Sequence, residues 1–216
     1  MRLVALIDYG SGNLHSAGRA LREAARLGGT GHEIRITHRP EDILAAERVV
    51  LPGVGHFADC AAGLRAQPGV VEALETACLK GAVPFLGICV GMQLMAETGR
   101  EDGATPGLGW LKGEVTRIAP GPGYRIPHMG WNGLALPAAP HPVLSGLGED
   151  PHVYFTHSYA FAASAPEDVA ATAGYGAEAI TAAVARGNLF GTQFHPEKSQ
   201  ATGLRILSNF LSWDPS

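Results

Sequence analysis

The feature that most constrains this chain is a cysteine set between two glycines at the end of a short apolar run. Residues 83–88 are apolar, a Gly-x-Cys-x-Gly turn follows with Cys89 at its centre, and apolar residues resume with helical spacing at Met92. This order predicts a strand, a sharp turn and a helix. The glycines permit the tight backbone with which a nucleophile elbow holds a reactive side chain at the top of a sheet.

Two interpretations of Cys89 are open at this point. A helix start offers backbone N–H groups and the positive end of a dipole, both of which favour the reactive thiolate. The N–H of Val90 would also point to where an oxyanion forms. The alternative is that Cys89 is a small buried hydrophobic residue, the usual situation of a free cysteine.

The length and composition indicate a single globular domain, residues 1–216. The chain is 46% hydrophobic and 17% charged, and no Ser-, Gly- or Pro-rich linker divides it. Its 29 glycines suit many tight turns between strands and helices. These values are typical of an α/β unit with a sizeable core.

Charge and cysteine content limit the partners and the compartment. The formal net charge is −4 with no block of like charge, which argues against nucleic acid. Three cysteines without a CxxC pair argue against a disulfide framework or a zinc site. No segment approaches the roughly 18 apolar residues of a membrane span. We therefore expect a cytoplasmic protein that binds no membrane and no metal.

The order of elements predicts an α/β fold with a mostly parallel central sheet, flanking helices and added antiparallel strands. Strands are expected at residues 3–7, 33–37 and 48–51, and helices at 14–27, 57–66 and 68–80. After residue 98, short segments at 114–118, 153–156, 158–162, 179–185 and 189–194 are interpreted as antiparallel strands attached to the core. An amphipathic helix closes the chain.

A glycine-rich loop, Pro52-Gly53-Val54-Gly55, follows the third strand. Two glycines around one residue let a backbone N–H turn toward a ligand with no side chain in the way. Val54 could thus supply a second oxyanion donor opposite Val90. A plain tight turn into the next helix explains the loop equally well.

The segment His195-Pro196-Glu197 places an imidazole and a carboxylate two residues apart. On an extended segment these side chains project to the same side, and Pro196 favours that geometry. A carboxylate orients a histidine and stabilises its protonated form, which an activated cysteine requires. Alone, His195 is better explained as structural, whereas Cys89 and Glu197 together favour catalysis.

With these motifs the chain resembles the class I glutamine amidotransferases over nearly its whole length, and the resemblance implies their flavodoxin-like fold. Residues 87–93, 127–132 and 194–199 resemble, more narrowly, the glutaminase subunits of imidazole glycerol phosphate synthases. The elbow and His-Pro-Glu are typical of the whole superfamily. Pro-His-Met-Gly-Trp-Asn at 127–132, too polar and aromatic for a plain strand, is the subunit-specific signal.

The resemblance implies roles for particular residues. Cys89 is the nucleophile, His195 its base and later acid, and Glu197 the residue that orients His195. Oxyanion donors are expected at Val54 and Val90. The positions expected to hold glutamine are Gly53, Gly55, Gln93, His157, Ser158 and Tyr159.

The resemblance further implies a heterodimer without metal or organic cofactor. Ammonia from L-glutamine would pass to a cyclase subunit that makes imidazole glycerol phosphate and an aminoimidazole carboxamide ribonucleotide. Lys198, Trp131, Asn13 and Tyr154 are expected at that interface. Two alternatives remain: a glutaminase serving another acceptor, such as pyridoxal phosphate synthase, and a non-catalytic binding protein on the same fold.

Overall fold

A computed structural model of the chain describes residues 2–215, which form thirteen strands and six α-helices. The strands are β1 (Arg2–Ile7), β2 (His32–Thr37), β3 (Arg48–Gly53), β4 (Phe85–Cys89), β5 (Thr98–Gly99), β6 (Thr105–Pro106), β7 (Gly113–Arg117), β8 (His128–Gly133), β9 (His152–His157), β10 (Tyr159–Ala163), β11 (Val169–Tyr175), β12 (Glu178–Arg186) and β13 (Leu189–Thr192). The helices are α1 (Leu14–Gly28), α2 (Pro40–Leu44), α3 (Phe57–Ala66), α4 (Val70–Leu74), α5 (Val90–Gln93) and α6 (Gln200–Ser212).

The central sheet has seven strands in the order β11-β12-β13-β4-β3-β1-β2. Five neighbouring strands, from β13 to β2, are parallel, and β12 and β11 extend the sheet in antiparallel fashion. The predicted α/β class is thereby confirmed. All residues of β3, β4 and β13 are buried, as expected where helices cover both faces of a sheet.

Hydrophobic patterning explains the flanking helices. Helix α1 is amphipathic and buries Ala17, Leu21 and Ala24, and Asn13 caps it by accepting a hydrogen bond from the N–H of Ser16 at 3.2 Å. Helix α6 packs against α1. No helix within residues 2–215 is both long and apolar enough to cross a bilayer.

One strand direction was predicted incorrectly. Residues 189–194 were expected to form an added antiparallel strand, but β13 runs parallel to β4 and is antiparallel only to β12. Its four residues are all buried, so it belongs to the centre of the sheet rather than to its margin. The sequence shows how apolar a strand is, but not the direction of its neighbour.

Of the other added strands, only residues 179–185 extend the core as expected, since β12 pairs with β13 in antiparallel fashion within the central sheet. Strands β7 and β10 belong to a separate four-stranded sheet, in the order β10-β7-β5-β6, while β9 pairs with β8. Residues 127–132, which were expected to be too polar and aromatic for a plain strand, form most of the strand β8. It tolerates polar and aromatic residues because Met129 and Trp131 are exposed.

The helix expected at residues 68–80 is also irregular. Only Val70–Leu74 is α-helical, and Glu75–Lys80 continues as a π-helical turn. The remaining predicted elements agree within about two residues, the usual uncertainty at element ends.

Candidate active site

The site lies where β4 and β13 end side by side. Their parallel register pairs Ile88 with Thr192, so Cys89, the last residue of β4, lies beside the segment that leads from β13 to His195. Ligand sites in open parallel sheets lie at this edge, beyond the carboxyl ends of the strands. The register of the central sheet thus brings together two residues that are more than a hundred positions apart.

Cys89 has the strained backbone of a nucleophile elbow. Its φ is +53° and its ψ −112°, a conformation that a residue with a side chain rarely adopts. The flanking glycines are required by close packing, since a Cβ added to Gly87 would lie 2.7 Å from the Gly91 carbonyl oxygen. The predicted strand and sharp turn are confirmed.

The helix after the elbow is shorter than predicted. α5 has only four residues, so aligned peptide dipoles contribute less to Cys89 than a long helix would. The first N–H groups of any helix lack an intrahelical acceptor, and Val90 supplies the first of them. A local donor, rather than a macrodipole, is what α5 offers to the site.

His195 and Glu197 form a buried hydrogen-bonded pair. Nδ1 of His195 donates to Oε1 of Glu197 at 2.8 Å, and the two side chains are 2% and 3% exposed. Residues Pro196–Lys198 form a 3-10 turn and not the expected extended segment, yet the side chains still meet. Nε2 of His195 has no hydrogen-bond partner among the described residues, which leaves it available for proton transfer.

The surroundings of His195 favour its charged form. Burial by itself would lower the pKa of His195, but interactions with Cys89 and with Glu197 outweigh burial and raise the pKa to about 9. Both partners stabilise an imidazolium more than a neutral ring. This arrangement suits a cysteine that reacts as the thiolate.

A cavity of about 470 Å³ opens above Cys89 and His195. Most of the residues predicted for the site line it: Asn13, Val54, Gly55, Cys89, Val90, Gln93, His157, Ser158, Tyr159, His195 and Lys198. Gly53 and Glu197 are not among the residues that line it. Within residues 2–215, no group of three or more His, Cys, Asp or Glu side chains could hold a metal ion.

Gln93 is fixed in the cavity wall. Its Nε2 donates to the Tyr159 carbonyl at 2.9 Å and to Oε1 of Gln193 at 3.0 Å. Because both N–H groups are used, only its side-chain carbonyl is left for a ligand. Gln93 therefore presents an acceptor to the cavity.

The Pro52–Gly55 loop is held in one orientation by Ser11. The Val54 N–H donates to Ser11 Oγ at 3.2 Å, and Ser11 Oγ donates to the Val54 carbonyl at 2.7 Å. In this orientation the Val54 N–H is engaged within the protein. Gly53 is tightly packed, since an added Cβ would lie 2.7 Å from the backbone nitrogen of Gly91.

Several residues of the site were missed from the sequence. Glu101 lines the cavity and accepts a hydrogen bond from the Phe57 N–H at 2.9 Å. Gln193 donates to the sulfur of Cys89 at 3.7 Å. Ser11 and Glu101 lie in irregular segments without a motif. Gln193 fell within the predicted strand at residues 189–194. The only sign of its role in the sequence is that it stands two residues before His195.

The residues expected at an interface lie around the mouth of the cavity. Trp131 and Tyr154 are cross-strand partners with ring centroids 6.1 Å apart, and Lys198 lies 5.9 Å from the centre of the Tyr154 ring. Met129, on the same strand as Trp131, is 62% exposed. We call Met129, Trp131, Tyr154 and Lys198 the rim patch. Asn13 lines the cavity itself.

Comparisons with known proteins give one consistent result. The family model for glutamine amidotransferase class-I matches residues 5–213. An imidazole glycerol phosphate synthase subunit HisH from Rhodospirillum rubrum is 56% identical over 213 residues, covering 98% of this chain and 99% of that protein. The protein of the same name from Caulobacter vibrioides is 53% identical, with complete coverage of both chains.

A solved structure agrees in fold. A crystal structure described as a glutamine amidotransferase superimposes with a TM-score of 0.72, covering 97% of this chain and 99% of that chain. The sequences are only 22% identical, so this likeness concerns the fold alone.

Proposed function

The chain belongs to the glutamine amidotransferase class-I family, and we propose that it is the glutaminase subunit of imidazole glycerol phosphate synthase. It hydrolyses the side-chain amide of glutamine to glutamate and ammonia. The observation that carries the proposal is the meeting of a strained Cys89 with the buried His195–Glu197 pair at the ends of two adjacent parallel strands.

The first half of the reaction forms a thioester. The Cys89 thiolate attacks the amide carbon of glutamine, and the carbonyl oxygen takes up the negative charge. The Val90 N–H is placed to receive this oxyanion. His195 then gives its Nε2 proton to the amide nitrogen, the C–N bond breaks, and ammonia leaves.

The second half releases glutamate. His195, now neutral, takes a proton from water as the water oxygen attacks the thioester carbon. The C–S bond breaks, and Cys89 returns as the thiolate beside a protonated His195. Throughout both halves Glu197 holds Nδ1 of His195 and stabilises the imidazolium, so that Nε2 faces the reaction.

Glutamine is recognised by groups that complement its charge. Its α-ammonium suits the Glu101 carboxylate, which lines the cavity and keeps one oxygen free after accepting the Phe57 N–H. The acceptor presented by Gln93 suits an N–H group of the substrate. Ser158 and Tyr159 line the same cavity.

Ammonia has to reach an acceptor before water protonates it, since ammonium is not a nucleophile. The related proteins are named as subunits, and a partner subunit that covers the cavity mouth would receive the product directly. We assign that role to a cyclase subunit that docks on the rim patch. The rim patch has the exposed aromatic and methionine content typical of an interface core.

We further propose that the protein works in the cytoplasm. Cys60, Cys78 and Cys89 are all free, which fits a reducing environment such as the cytoplasm. Histidine biosynthesis would place the enzyme there with its partner.

The experiment that tests the function is reconstitution. The chain is mixed with an imidazole glycerol phosphate synthase cyclase subunit, and glutamate and imidazole glycerol phosphate are measured with glutamine or with ammonium as nitrogen source. We expect Cys89→Ser to abolish glutamine-dependent synthesis and to leave ammonium-dependent synthesis intact. Synthesis with a pyridoxal phosphate synthase partner instead would favour the alternative acceptor.

A further inference from the structure

Two buried histidines form a hydrogen-bonded chain that leads from β8 to the wall of the cavity. His128 and His157 face each other across β8 and β9, with Nδ1 of His128 2.9 Å from Nε2 of His157. Nδ1 of His157 lies 2.9 Å from the Tyr159 carbonyl, and Nδ2 of Asn132 lies 3.2 Å from Nε2 of His128. The catalytic steps described above use none of these contacts.

The partners at each end fix every proton in this chain. A carbonyl oxygen only accepts, so His157 donates from Nδ1 to Tyr159, and its Nε2 in the neutral ring must accept. His128 therefore donates from Nδ1, and its own Nε2 accepts from the Asn132 amide. Asn132 is itself oriented, because its Nδ2 also donates to the Gly174 carbonyl at 2.8 Å and its Oδ1 accepts from the Gly133 N–H at 2.8 Å.

The surroundings keep both rings neutral and in place. His128 is 3% and His157 6% exposed. Burial lowers the pKa of each of them to about 4. The His128 ring is stacked between Phe155 and Tyr175, with centroid distances of 4.6 Å and 4.1 Å, so it cannot turn freely to exchange its two nitrogens.

The chain ends on a group that shapes the cavity. The Tyr159 carbonyl accepts from His157 and also from Gln93, which lies on the opposite side next to the elbow. These two donors tie the 157–159 segment to α5. Ser158 and Tyr159 line the cavity, so the position of this carbonyl sets the distance between the two walls that enclose a ligand.

We propose that His128 is a positioning residue for glutamine, which donates to Nε2 of His157, holds that ring with its Nδ1–H on the Tyr159 carbonyl and thereby fixes this carbonyl in the cavity wall. The inference rests on the proposed function for the identity of the ligand. His128 touches neither glutamine nor the reacting atoms. Its effect therefore falls on glutamine affinity more than on the chemical step.

The test compares three variants of the chain in complex with its partner subunit. His128→Phe keeps the stacked ring but removes both nitrogens, whereas His128→Asn retains an N–H near the position of Nδ1. Tyr175→Phe is the matched control, because Tyr175 packs on the same ring while its hydroxyl donates to the Arg125 carbonyl outside the chain. The KM for glutamine and kcat are measured for each.

We expect His128→Phe to raise the KM about tenfold with a smaller change in kcat, since a buried acceptor on His157 is left unpaired. His128→Asn should recover most of the loss, and Tyr175→Phe should stay within about twofold of the wild type. Nitrogen NMR of the histidine-labelled full chain should show His157 as the Nδ1–H tautomer, and should show a changed Nε2 chemical shift of His157 in His128→Phe, where that acceptor has lost its donor.

Either of two results would overturn the proposal: an Nε2–H tautomer of His157 in the wild type, or a KM in His128→Phe no different from that in Tyr175→Phe. A wild-type complex that released no glutamate would instead reject the proposed function. Glutamine binding to the Cys89→Ser chain, measured by calorimetry, would then replace the KM, and an Nε2 resonance of His157 that did not differ between the wild type and His128→Phe would still overturn the role of His128.

Discussion

The backbone N–H of Val54 donates to the Oγ of Ser11 at 3.2 Å, and the same hydroxyl donates to the Val54 carbonyl at 2.7 Å. Ser11 thus holds the peptides on both sides of Val54. A donor engaged in this way does not serve an oxyanion. Glycines on either side let the peptide turn, so the loop has a second orientation in which the Val54 N–H would face the cavity.

The first prediction is that Ser11→Ala raises glutamate release by the isolated chain. Without the hydroxyl, the Val54 peptide is freer to adopt the orientation that completes the oxyanion site. Loss of one such donor lowers turnover by about 10²–10³-fold, so the increase in the rate of glutamate release should not exceed that factor. Ser11→Thr keeps a hydroxyl and should stay close to the wild type.

In the wild type, binding of the partner and of its acceptor nucleotide should favour the same orientation of the Val54 peptide that Ser11→Ala favours. We expect glutamate release to increase from the isolated chain, to the complex, to the complex with acceptor nucleotide. In Ser11→Ala, the rates of glutamate release in these three samples should differ less than they do in the wild type. Equal rates for wild type and Ser11→Ala in all three samples would show that Ser11 does not restrain the loop.

The second prediction is that Cys89 is the only essential thiol. Burial raises the pKa of Cys78 to about 12 and also raises the pKa of Cys60, so neither thiol ionises readily at neutral pH. A glutamine-like electrophile should label Cys89 alone, as mass spectrometry of the digested chain would show. Inactivation by Cys60→Ser as deep as that by Cys89→Ser would contradict this.

The third prediction separates the roles of the histidine and the carboxylate. Glu197→Gln should lower kcat less than His195→Ala, because Glu197 orients and stabilises the imidazolium while His195 moves the proton, a contribution of about 10²–10⁴-fold. The control is synthesis by the complex with ammonium. If ammonium-dependent synthesis fell as well, the damage would lie in the partner reaction.

The fourth prediction is that Glu101→Gln weakens the binding of glutamine. Glu101→Gln removes the charge that meets the α-ammonium of glutamine but keeps an acceptor for the Phe57 N–H. We expect the KM for glutamine to rise roughly tenfold or more, as for loss of a charged hydrogen bond, with little change in kcat. Asp102→Asn, at the next residue, is the matched control and should leave the KM unchanged.

The fifth prediction concerns Lys198 in the rim patch. Lys198→Ala should weaken binding of the partner and the transfer of ammonia, while thermal unfolding of the isolated chain stays the same. Lys80→Ala is a suitable control, since Lys80 is exposed on the π-helical turn that precedes β4, whereas Cys89 lies at the other end of that strand. Unaltered transfer and affinity in Lys198→Ala would identify Lys198 as an ordinary solvated lysine.

The parts of the site that the sequence predicted are those encoded locally. The elbow at Cys89 needs glycines at fixed positions, and Glu197 reaches His195 from two residues away, so short motifs carry both. The meeting of Cys89 with His195 depended instead on the resemblance, because a parallel pairing between β4 and β13 leaves no mark in either strand.

The contacts that were missed are tertiary hydrogen bonds between unremarkable residues. Ser11 and Val54 are 43 positions apart, and Phe57 and Glu101 are 44 apart. His157 was assigned to glutamine, but its two nitrogens are occupied by His128 and Tyr159. A serine or histidine does not reveal its partner until the fold brings the two together.

The register between β4 and β13 has a consequence for inhibition. Because Ile88 pairs with Thr192 in the buried centre of the sheet, the core holds the backbone of Cys89 beside the segment that leads to His195. Turning the Pro52–Gly55 loop alters the stabilisation of the oxyanion but does not move Cys89 away from His195. The resting enzyme, although slow toward glutamine, should therefore be alkylated readily by chloroketone analogues, whose displacement at carbon draws little on an oxyanion site.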